Sequence, residues 1–184
     1  MAKIHKLNAC ELKDKAEFLS IGDKVLLTGY IYTGRDAAHK RFFNLLDEGK
    51  SLPFDIKNAV IYYAGPTAAP EGKPIGSCGP TTSGRMDIYS PRLLDEGLGA
   101  MIGKGERKQS VIDAIVRNKS VYLCAIGGAG ALAANCIKSC EIIAFNDLGC
   151  ESVKKLYVEE FPLVVANDCF GKDIFQEGRE HYKC

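Results

Sequence analysis

Residues 76–85 carry the densest set of side chains in this sequence that could do chemistry. They read Gly-Ser-Cys-Gly-Pro-Thr-Thr-Ser-Gly-Arg, with Thr81 in the middle and Arg85 at the end. Glycines let a backbone approach a ligand closely and turn its N–H groups toward an anion. The hydroxyls add further donors, and an arginine offers a planar fork for a carboxylate or phosphate. This composition favours an anion site over a plain flexible loop.

A second candidate segment spans residues 32–41, which read Tyr-Thr-Gly-Arg-Asp-Ala-Ala-His-Lys-Arg. Arg35 stands where a predicted strand ends and a helix begins, and ligands of α/β folds commonly bind at such strand ends. The helix N-terminus adds partial positive charge. Asp36 is also what an ordinary helix uses for capping, and His39 could belong to a solvated basic face. The segment alone does not decide between a ligand site and a plain helix start.

Two further glycine-rich segments follow predicted strands. Lys104 stands between two glycines and could reach into a pocket, although an exposed turn has the same composition. Residues 128–133 match the GxGxxA pattern of dinucleotide-binding folds, with Asp147 farther along the chain. The pattern stands in a single βαβ unit without a second nucleotide half. Close packing of a helix on a strand, or a helix N-terminus that faces some other anion, would use the same glycines.

Composition and charge exclude several classes of protein. The 184 residues are 46% hydrophobic and 26% charged, which is ordinary for a globular chain. The formal net charge of +1 argues against a general nucleic-acid binder, which usually carries a basic surplus. No apolar run is long enough to span a bilayer, and no apolar signal region follows the first residues. We therefore expect no membrane association and a cytoplasmic location.

Cysteines and histidines are spaced in ways that do not favour a metal site. In a cytoplasmic chain, most of the eight cysteines should be reduced and buried as small hydrophobic residues. Cys136 and Cys140 lie close in sequence, but without a second pair they are a weak metal signal. His5, His39 and His181 lie far apart and show no zinc-site spacing. We expect this chain to bind no metal.

The elements that must position these residues alternate between strands and helices. The apolar pattern and the turn residues predict strands at 24–32, 59–63, 98–102, 121–126 and 141–145, with a last pair near 156–161 and 163–166. Helices are predicted from 36 to about 46, from 90 to 97, and over 108–118 and 129–138. The alternation implies parallel strands joined by crossovers. We predict a single α/β domain over residues 1–184, with layered sheets and helices packed on one side.

Local signals set the helix starts and the long loop. Thr33 and Asp36 fit a capping box at the first helix, where Gly49 is a plausible stop. Ser90 fits an N-cap with Pro91 at the first helical position. Residues 65–84 are too rich in glycine and proline for a regular element, and a loop of this length is usually functional or disordered. Its threonine, serine, lysine and arginine content favours a functional loop.

Taken together, these segments resemble the β subunit, or C-terminal domain, of class I iron–sulfur fumarate hydratases and L-tartrate dehydratases. The resemblance covers about residues 20 to 175, and its most specific string is Gly-Pro-Thr-Thr-Ser-Gly-Arg-Met-Asp. The matching segments, in chain order, are residues 28–29, 33–41, 72–76, 79–87, 103–105, 127–129 and 145–149.

The resemblance implies a swivelling β/β/α fold and reversible trans addition of water to a C4 dicarboxylate. The reaction would convert fumarate to L-malate or, by dehydration, L-tartrate to oxaloacetate. The resemblance also implies a 4Fe-4S cluster on a partner α subunit, where one iron binds substrate oxygens as a Lewis acid. This chain alone should bind no cluster and show no hydratase activity. It should act in a heterodimer or a dimer of heterodimers.

The resemblance maps the family's substrate-binding and catalytic positions in this domain onto Arg35, Thr81, Arg85 and Lys104. Two carboxylates are costly to desolvate without paired cations, so we expect both arginines to grip carboxylates by forked hydrogen bonds. Lys104 would act as a point charge on the distal carboxylate. The same cations would stabilise the negative charge that builds when a proton leaves the neighbouring carbon.

Thr81 would be the group that transfers the proton at carbon. A free hydroxyl is a poor base, so it needs an acceptor beside it, and we expect a carboxylate of the partner chain. Asp36 and His39 should support the loop and Arg35 rather than take part in the chemistry.

Two other classes of function stay open. A non-catalytic anion-binding or regulatory module could use the same cationic loops, and replacement of Thr81 by alanine would then change ligand affinity little and abolish no activity. A dinucleotide-dependent oxidoreductase could use residues 128–133, and a fluorescence titration with NAD(P)H would detect it.

Overall fold

In the computed structural model, which describes residues 2–183, seven strands form one mixed sheet. The strands are β1 (Ile4–Asn8), β2 (Lys24–Thr33), β3 (Val60–Tyr62), β4 (Ala100–Gly103), β5 (Val121–Cys124), β6 (Ile137–Ala144) and β7 (Val153–Asn167). The helices are α1 (Asp36–Asp47), α2 (Ser90–Asp95), α3 (Gln109–Arg117), α4 (Gly130–Cys136) and α5 (Ile174–His181). Short 3-10 helices occur at Ala9–Glu11, Ala16–Phe18, Ser83–Met86 and Asn146–Glu151.

The central strands close into a ring. Strands β2, β3, β4 and β5 are parallel neighbours, which confirms the prediction of parallel strands joined by crossovers. Strand β7 is antiparallel both to β5 and to β2, so it joins the two ends of this parallel run. Outside the ring, β1 pairs with β2 and β6 pairs with β7.

Alternate side chains of the strands enter two separate apolar clusters, because successive residues of a strand point to opposite faces. In β3, Val60 and Tyr62 belong to the inner cluster, whereas Ile61 belongs to the outer one. Helix α3 adds Val111 and Ile115 to the outer cluster, and their spacing of four places them on one helix face. The outer helices therefore brace the sheet that carries the loops described below.

One helix departs from this arrangement. Helix α4 places Ala133 in the inner cluster, beside residues of the ring. The mixed α/β class is confirmed, but layered sheets with all helices on one side, as in a swivelling β/β/α domain, are not confirmed. Helix α4 also ends at Cys136, earlier than predicted, and β6 begins at the next residue.

The predicted pair of short strands near the C-terminus is wrong, because β7 is a single strand. The irregularity that suggested a break is local: Glu160 has a φ of 47°, and the register with β2 shifts between Leu27 and Gly29. At this bulge the Glu160 N–H donates to Thr28 Oγ1 at 3.1 Å. Antiparallel pairing with β2 is present on both sides of the irregular residue, so β7 remains one strand.

The predicted capping box at α1 is also wrong. The N-cap of α1 is Arg35, and its own side chain makes no capping hydrogen bond. Thr33 Oγ1 is engaged elsewhere, since it lies 3.2 Å from the Ser152 carbonyl and accepts the Lys154 N–H at 2.9 Å. Thr33 thus ties the end of β2 to the start of β7.

Two other helix ends bear on the predictions. Tyr89, not Ser90, is the N-cap of α2, and the Ser90 hydroxyl donates to the Met86 carbonyl at 2.9 Å. Pro91 stands in the first turn of α2. The prediction that Gly49 follows the end of α1 is confirmed by its φ of 67°, a conformation that favours glycine.

The cysteines are less buried than predicted. Cys78 and Cys169 are buried, whereas the other cysteines of residues 2–183 are partly or fully exposed, and all of them are free thiols. Cys184 lies outside the described residues. Over the same range, every helix is too short or too polar to cross a membrane.

Candidate functional site

The carboxyl ends of three neighbouring strands bring the predicted site residues to one edge of the sheet. Arg35 follows β2, Thr81 and Arg85 lie on the loop after β3, and Lys104 follows β4 directly. Because β2, β3 and β4 are parallel neighbours, their carboxyl ends share one edge. The fold therefore places these distant positions on the same side of the molecule, at the place where α/β folds usually bind ligands.

The loop that carries Thr81 is bonded to the strands beside it. The Thr81 N–H donates to the Tyr63 carbonyl at 2.6 Å, and the Ser83 N–H donates to the Lys104 carbonyl at 2.9 Å. Thr82 and Lys104 also form an isolated parallel bridge. A side chain at Gly103 would collide with Ser83 Oγ, so this close approach requires glycine. Backbone bonds thus fix the loop of Thr81 against the turn of Lys104.

Lys104 extends over a glycine of the next loop. A Cβ built on Gly127 would lie 3.5 Å from Lys104 Cδ and 3.9 Å from Nζ. The ion pairs formed within residues 2–183 do not include Lys104. Its charge is therefore not neutralised by a neighbouring carboxylate of the described chain, and a ligand anion would not have to displace one.

Arg35 is partly buried between a glycine and a carboxylate. A Cβ built on Gly65 would lie 2.7 Å from Arg35 Nη1, so only glycine leaves room for the guanidinium. Arg35 Nη2 lies 3.4 Å from Glu151 Oε1, and Glu151 Oε2 accepts the N–H of Ala37 at 3.1 Å. Arg35 Nε is buried without a hydrogen-bond partner among residues 2–183. This nitrogen has a donor to offer to a bound anion.

Arg85 contacts the residue that follows Arg35. Its Nε donates to Asp36 Oδ1 at 3.0 Å, and its Nη2 lies 2.8 Å from Oδ2. The Arg85 side chain is 52% exposed, so the pair contributes little to folding stability. Its consequence is geometric, because it joins the start of α1 to the loop of Thr81.

His39 is buried, so its interpretation as part of a solvated basic face is wrong. Its Nδ1 lies 2.9 Å from the Arg35 carbonyl, while its Nε2 has no partner in the described part of the chain. Burial lowers the pKa of His39 to about 4, and the imidazole is therefore neutral near pH 7. Its position below Arg35 fits the predicted supporting role.

Glu151 and Lys154 were not predicted as part of this edge. Lys154 Nζ donates to the carbonyls of Gly149 and Cys150, each at 3.2 Å, and to Ser152 Oγ at 2.6 Å. These hydrogen bonds of the ammonium group stabilise the turn of residues 149–152. Glu151 lies in this turn, next to Arg35. Lys154 and Lys155 are adjacent in β7, and no local pattern indicates which of them is buried.

Gly130 packs closely against the loop of residues 77–79. A Cβ on Gly130 would collide with Ser77 Oγ and lie 2.9 Å from Gly79 N, and the Cys78 N–H donates to the Gly130 carbonyl at 3.0 Å. Helix α4 has only seven residues, and β7 lies between β5 and β6 in the sheet. Asp147 Oδ1 accepts a hydrogen bond from Arg41 at 2.8 Å. These contacts favour close packing over a dinucleotide site.

Two clefts flank the loop of residues 66–77. One, of about 410 Å³, lies between this loop and α4, and the other, of about 480 Å³, is lined by Cys140, Cys150 and Lys154 together with the loop. Neither cleft is lined by Arg35 or by the other three predicted substrate and proton-transfer residues. A ligand held by those residues would therefore lie on the sheet edge, outside both clefts.

The described residues do not fit an iron–sulfur cluster. Within residues 2–183, no three His, Cys, Asp or Glu side chains are grouped so that they could hold a metal ion. Burial raises the pKa of the Cys78 thiol to about 12, and it also raises the pKa of Cys140. Cluster ligation needs thiolates, which these environments disfavour.

Comparison with known proteins identifies what the chain is similar to. The family model described as Fumarase C-terminus matches residues 2–178. The chain is 46% identical over 160 residues to a protein of Escherichia coli (strain K12) named "Fumarate hydratase class I, anaerobic", which covers 85% of this chain and 29% of that protein. It is 41% identical over 160 residues to "Fumarate hydratase 2" of Leishmania major, across 85% of this chain and 28% of that protein.

A relative of similar length is an archaeal protein described as an L(+)-tartrate dehydratase subunit beta, from Methanocaldococcus jannaschii. The chain is 39% identical to it over 171 residues, which cover 90% of this chain and 88% of that subunit. The chain thus spans less than a third of the two fumarate hydratases and most of the tartrate dehydratase subunit.

Proposed function

The chain belongs to the fumarase C-terminal family, and from this premise we propose that it is the β component of a hydro-lyase that hydrates fumarate reversibly to L-malate. The observation that carries the proposal is the placement of Arg35, Thr81, Arg85 and Lys104 on one edge of the sheet. A C4 dicarboxylate is a dianion, and three cations on one edge match its charge.

The proposed binding roles depend on which N–H donors of each cation make no hydrogen bond within the chain. Arg35 carries a buried, unpartnered Nε, and Arg85 keeps its Nη1 side outside the contact with Asp36. Both guanidinium groups would bind substrate carboxylates by forked hydrogen bonds. Lys104, which no carboxylate of residues 2–183 neutralises, would act as a point charge on the distal carboxylate.

Thr81 is proposed as the group that transfers the proton at carbon. In the dehydration direction, its oxygen takes the proton from the carbon next to a carboxylate, and its own proton passes to an acceptor. That acceptor would be a carboxylate of the partner chain, because a free hydroxyl is a poor base. The loss of the proton builds negative charge on the neighbouring carboxylate, and the cations stabilise this charge in the transition state. The electron pair then forms the carbon–carbon double bond as the hydroxyl of the adjacent carbon leaves.

The rest of the enzyme would be supplied by an α subunit. It would hold a 4Fe-4S cluster, which supplies Lewis acid chemistry at the substrate oxygens when it is bound. The length of the fumarate hydratases, more than three times the matched region, supports a second component of this kind. We propose a heterodimer, or a dimer of heterodimers, in the cytoplasm.

Co-expression with a cluster-carrying α subunit under anaerobic conditions tests the proposal. Each chain alone and the purified complex would be assayed with fumarate, L-malate and L-tartrate. We expect turnover by the complex only. Turnover of fumarate by this chain alone would contradict the two-component arrangement, and a cluster-loaded complex that turns over none of the three substrates would contradict the hydro-lyase.

L-Tartrate is the second candidate substrate. The observation in its favour is the match across 88% of the archaeal tartrate dehydratase β subunit, a separate chain of similar length. The two candidates differ in hydroxyl groups, which the partner's side of the site could distinguish. The substrate with the larger kcat/KM in the same assay decides between them.

A further inference from the structure

A buried ion pair lies beneath the proposed site and has no part in the chemistry described so far. The side chains of Arg107 and Asp87 are 0% and 2% exposed, and Arg107 Nε donates to Asp87 Oδ1 at 2.7 Å. The other carboxylate oxygen, Oδ2, accepts the N–H of Lys108 at 2.9 Å. The pair joins the end of the Thr81 loop to the segment that follows Lys104.

Two tyrosine rings and a serine hold the guanidinium in place. Arg107 Cζ lies 5.4 Å from the ring centre of Tyr63 and 4.9 Å from that of Tyr122. Its Nη2 donates to Ser90 Oγ at 2.6 Å, and Ser90 Oγ also lies 3.1 Å from the Tyr63 hydroxyl. Lysine could not make these contacts together, because it lacks a planar fork.

The same tyrosines contact the backbone on both sides of the site. The Tyr63 carbonyl accepts the Thr81 N–H at 2.6 Å. The Tyr122 hydroxyl lies 2.8 Å from Ser83 Oγ and 2.9 Å from the Gly105 carbonyl. A displacement of Arg107 would therefore reach the Thr81 loop and the Lys104 turn together.

We propose that Arg107 is a positioning residue, which with Asp87 holds the Thr81 loop against the Lys104 turn. The inference rests on the proposed function for its catalytic consequence. Burying an ion pair is costly, and replacing such a pair by apolar residues of similar volume is often neutral or stabilising. We therefore expect the pair to fix the position of the Thr81 loop rather than to add folding stability. The two effects can be measured separately.

The decisive variant is the double replacement Arg107→Met with Asp87→Leu, made in the full chain and assembled with the α subunit. We expect a folded complex with a Tm close to that of the wild type, slightly lowered because the Lys108 N–H loses its acceptor. We expect kcat to fall about 10- to 100-fold, the cost of a misplacement on the order of 1 Å. In a Thr81→Ala background the same double replacement should cost little more, since the proton transfer that it disturbs is already lost.

Two further variants separate positioning from stability. Leu12→Ala removes volume from the inner cluster, which does not contain Tyr63 or Tyr122, and should lower the Tm while leaving kcat unchanged. Arg107→Lys keeps the charge without the fork and should lower kcat, which keeps the inference testable if the double variant does not fold. Wild-type kcat in either folded Arg107 variant would overturn the inference.

Amide hydrogen exchange on the isolated full chain gives a readout that does not need activity. In the wild type, the Thr81 and Ser83 amides should exchange slowly, because both donate backbone hydrogen bonds. They should exchange faster in Arg107→Lys and stay slow in Leu12→Ala. Unchanged exchange in Arg107→Lys would refute the positioning role, whereas an inactive wild-type complex would refute only the proposed function.

Discussion

Arg85 holds Asp36, the neighbour of Arg35 in sequence, with Nε 3.0 Å from one carboxylate oxygen and Nη2 2.8 Å from the other. A guanidinium has five N–H donors in a fixed plane, and this contact occupies one side of it. The Nη1 side remains available for a substrate carboxylate. Asp36 thus directs Arg85 and, through the backbone, links the two arginines of the site.

Replacing Asp36 by asparagine should raise the KM for the dicarboxylate. The charge-assisted contact that orients Arg85 is lost, and a half-exposed pair of this kind is worth up to about 1 kcal/mol, or roughly fivefold in affinity. The kcat should stay within about twofold, because the binding geometry is affected more than proton transfer. Steady-state kinetics of the assembled complex with fumarate would measure both constants.

The matched control is Asp95→Asn, which removes a surface pair with Arg117 between α2 and α3, with Nη2 and Oδ2 2.7 Å apart. That variant should leave both constants unchanged. A lower KM in Asp36→Asn would mean that Asp36 competes with the substrate for Arg85, contrary to the orienting role.

Replacing Thr81 by alanine should abolish most turnover while substrate still binds. General acid–base groups typically contribute about 10²- to 10⁴-fold, so kcat should fall in that range with a small change in KM. Thr81→Ser keeps a hydroxyl and should restore part of the rate. Thr28→Ala removes a hydroxyl from the bulge with Glu160 and is the control for threonine loss elsewhere.

The same variant discriminates between the enzyme and a non-catalytic anion-binding module. In a binding module, Thr81→Ala would change ligand affinity little and would abolish no activity of any complex. An unchanged kcat in a folded Thr81→Ala complex would therefore remove Thr81 from the chemistry.

Features that depend on short-range pattern were predictable from the sequence. Apolar runs indicated the parallel strands β2 to β5, and glycine and proline marked the irregular loop after β3. Because the carboxyl ends of parallel neighbours share an edge, the placement of Arg35 and Lys104 follows from strand order alone. The alternation of strands and helices predicted parallel strands but not their order, which only the observed pairings provide.

Features that depend on pairing between distant segments were not predictable. The pairing of β7 with β2 includes a bulge at Glu160. In the sequence this bulge looks only like a break between two short strands. Arg107 is buried against the carboxylate of Asp87 and the hydroxyl of Ser90, which belong to an earlier segment of the chain. Lys154 is buried against carbonyls and a hydroxyl of residues 149–152. Arg107 stands between two charged residues and Lys154 precedes a second lysine, and neither pattern predicts a buried charge, so both were missed.

Gly130→Ala should disturb the Thr81 loop. The added Cβ would collide with Ser77 Oγ and lie 2.9 Å from the backbone N of Gly79, so the loop must shift. We expect a lower Tm and lower turnover. Gly178→Ala is the control, because a Cβ at this position of α5 would meet nothing within 4 Å and should be tolerated.

The Gly130→Ala variant also tests the dinucleotide alternative. If residues 128–133 bound a nicotinamide cofactor, a fluorescence titration of the wild type with NAD(P)H would show binding that Gly130→Ala abolishes. We expect no binding to the wild type, because Gly130 makes its close approach to residues 77–79 of the chain itself.

The buried His39 should make folding stability depend on pH between about 6.5 and 4. Burial lowers its pKa from 6.5 to about 4, and Arg107 opposes protonation further, while the Arg35 carbonyl and Asp36 favour it. In this window the unfolded chain binds a proton on His39 that the folded chain does not. Stability from this group is therefore complete above pH 6.5 and is lost as the pH falls toward 4, by roughly 3 kcal/mol in total.

Urea unfolding of the isolated chain at several pH values between 7.5 and 4.5 would measure this dependence, with His39→Phe as the comparison. Phenylalanine keeps a flat ring among Phe42, Tyr63 and Tyr89, and the Arg35 carbonyl still accepts the backbone N–H of residue 39. The variant should lose less stability on acidification than the wild type.

The ion pair of His5 and Asp23 is unchanged in both proteins, so it cancels in the comparison. Equal slopes for the two proteins would show that folding does not lower the pKa of His39, and the inferred effect of its burial would then be refuted.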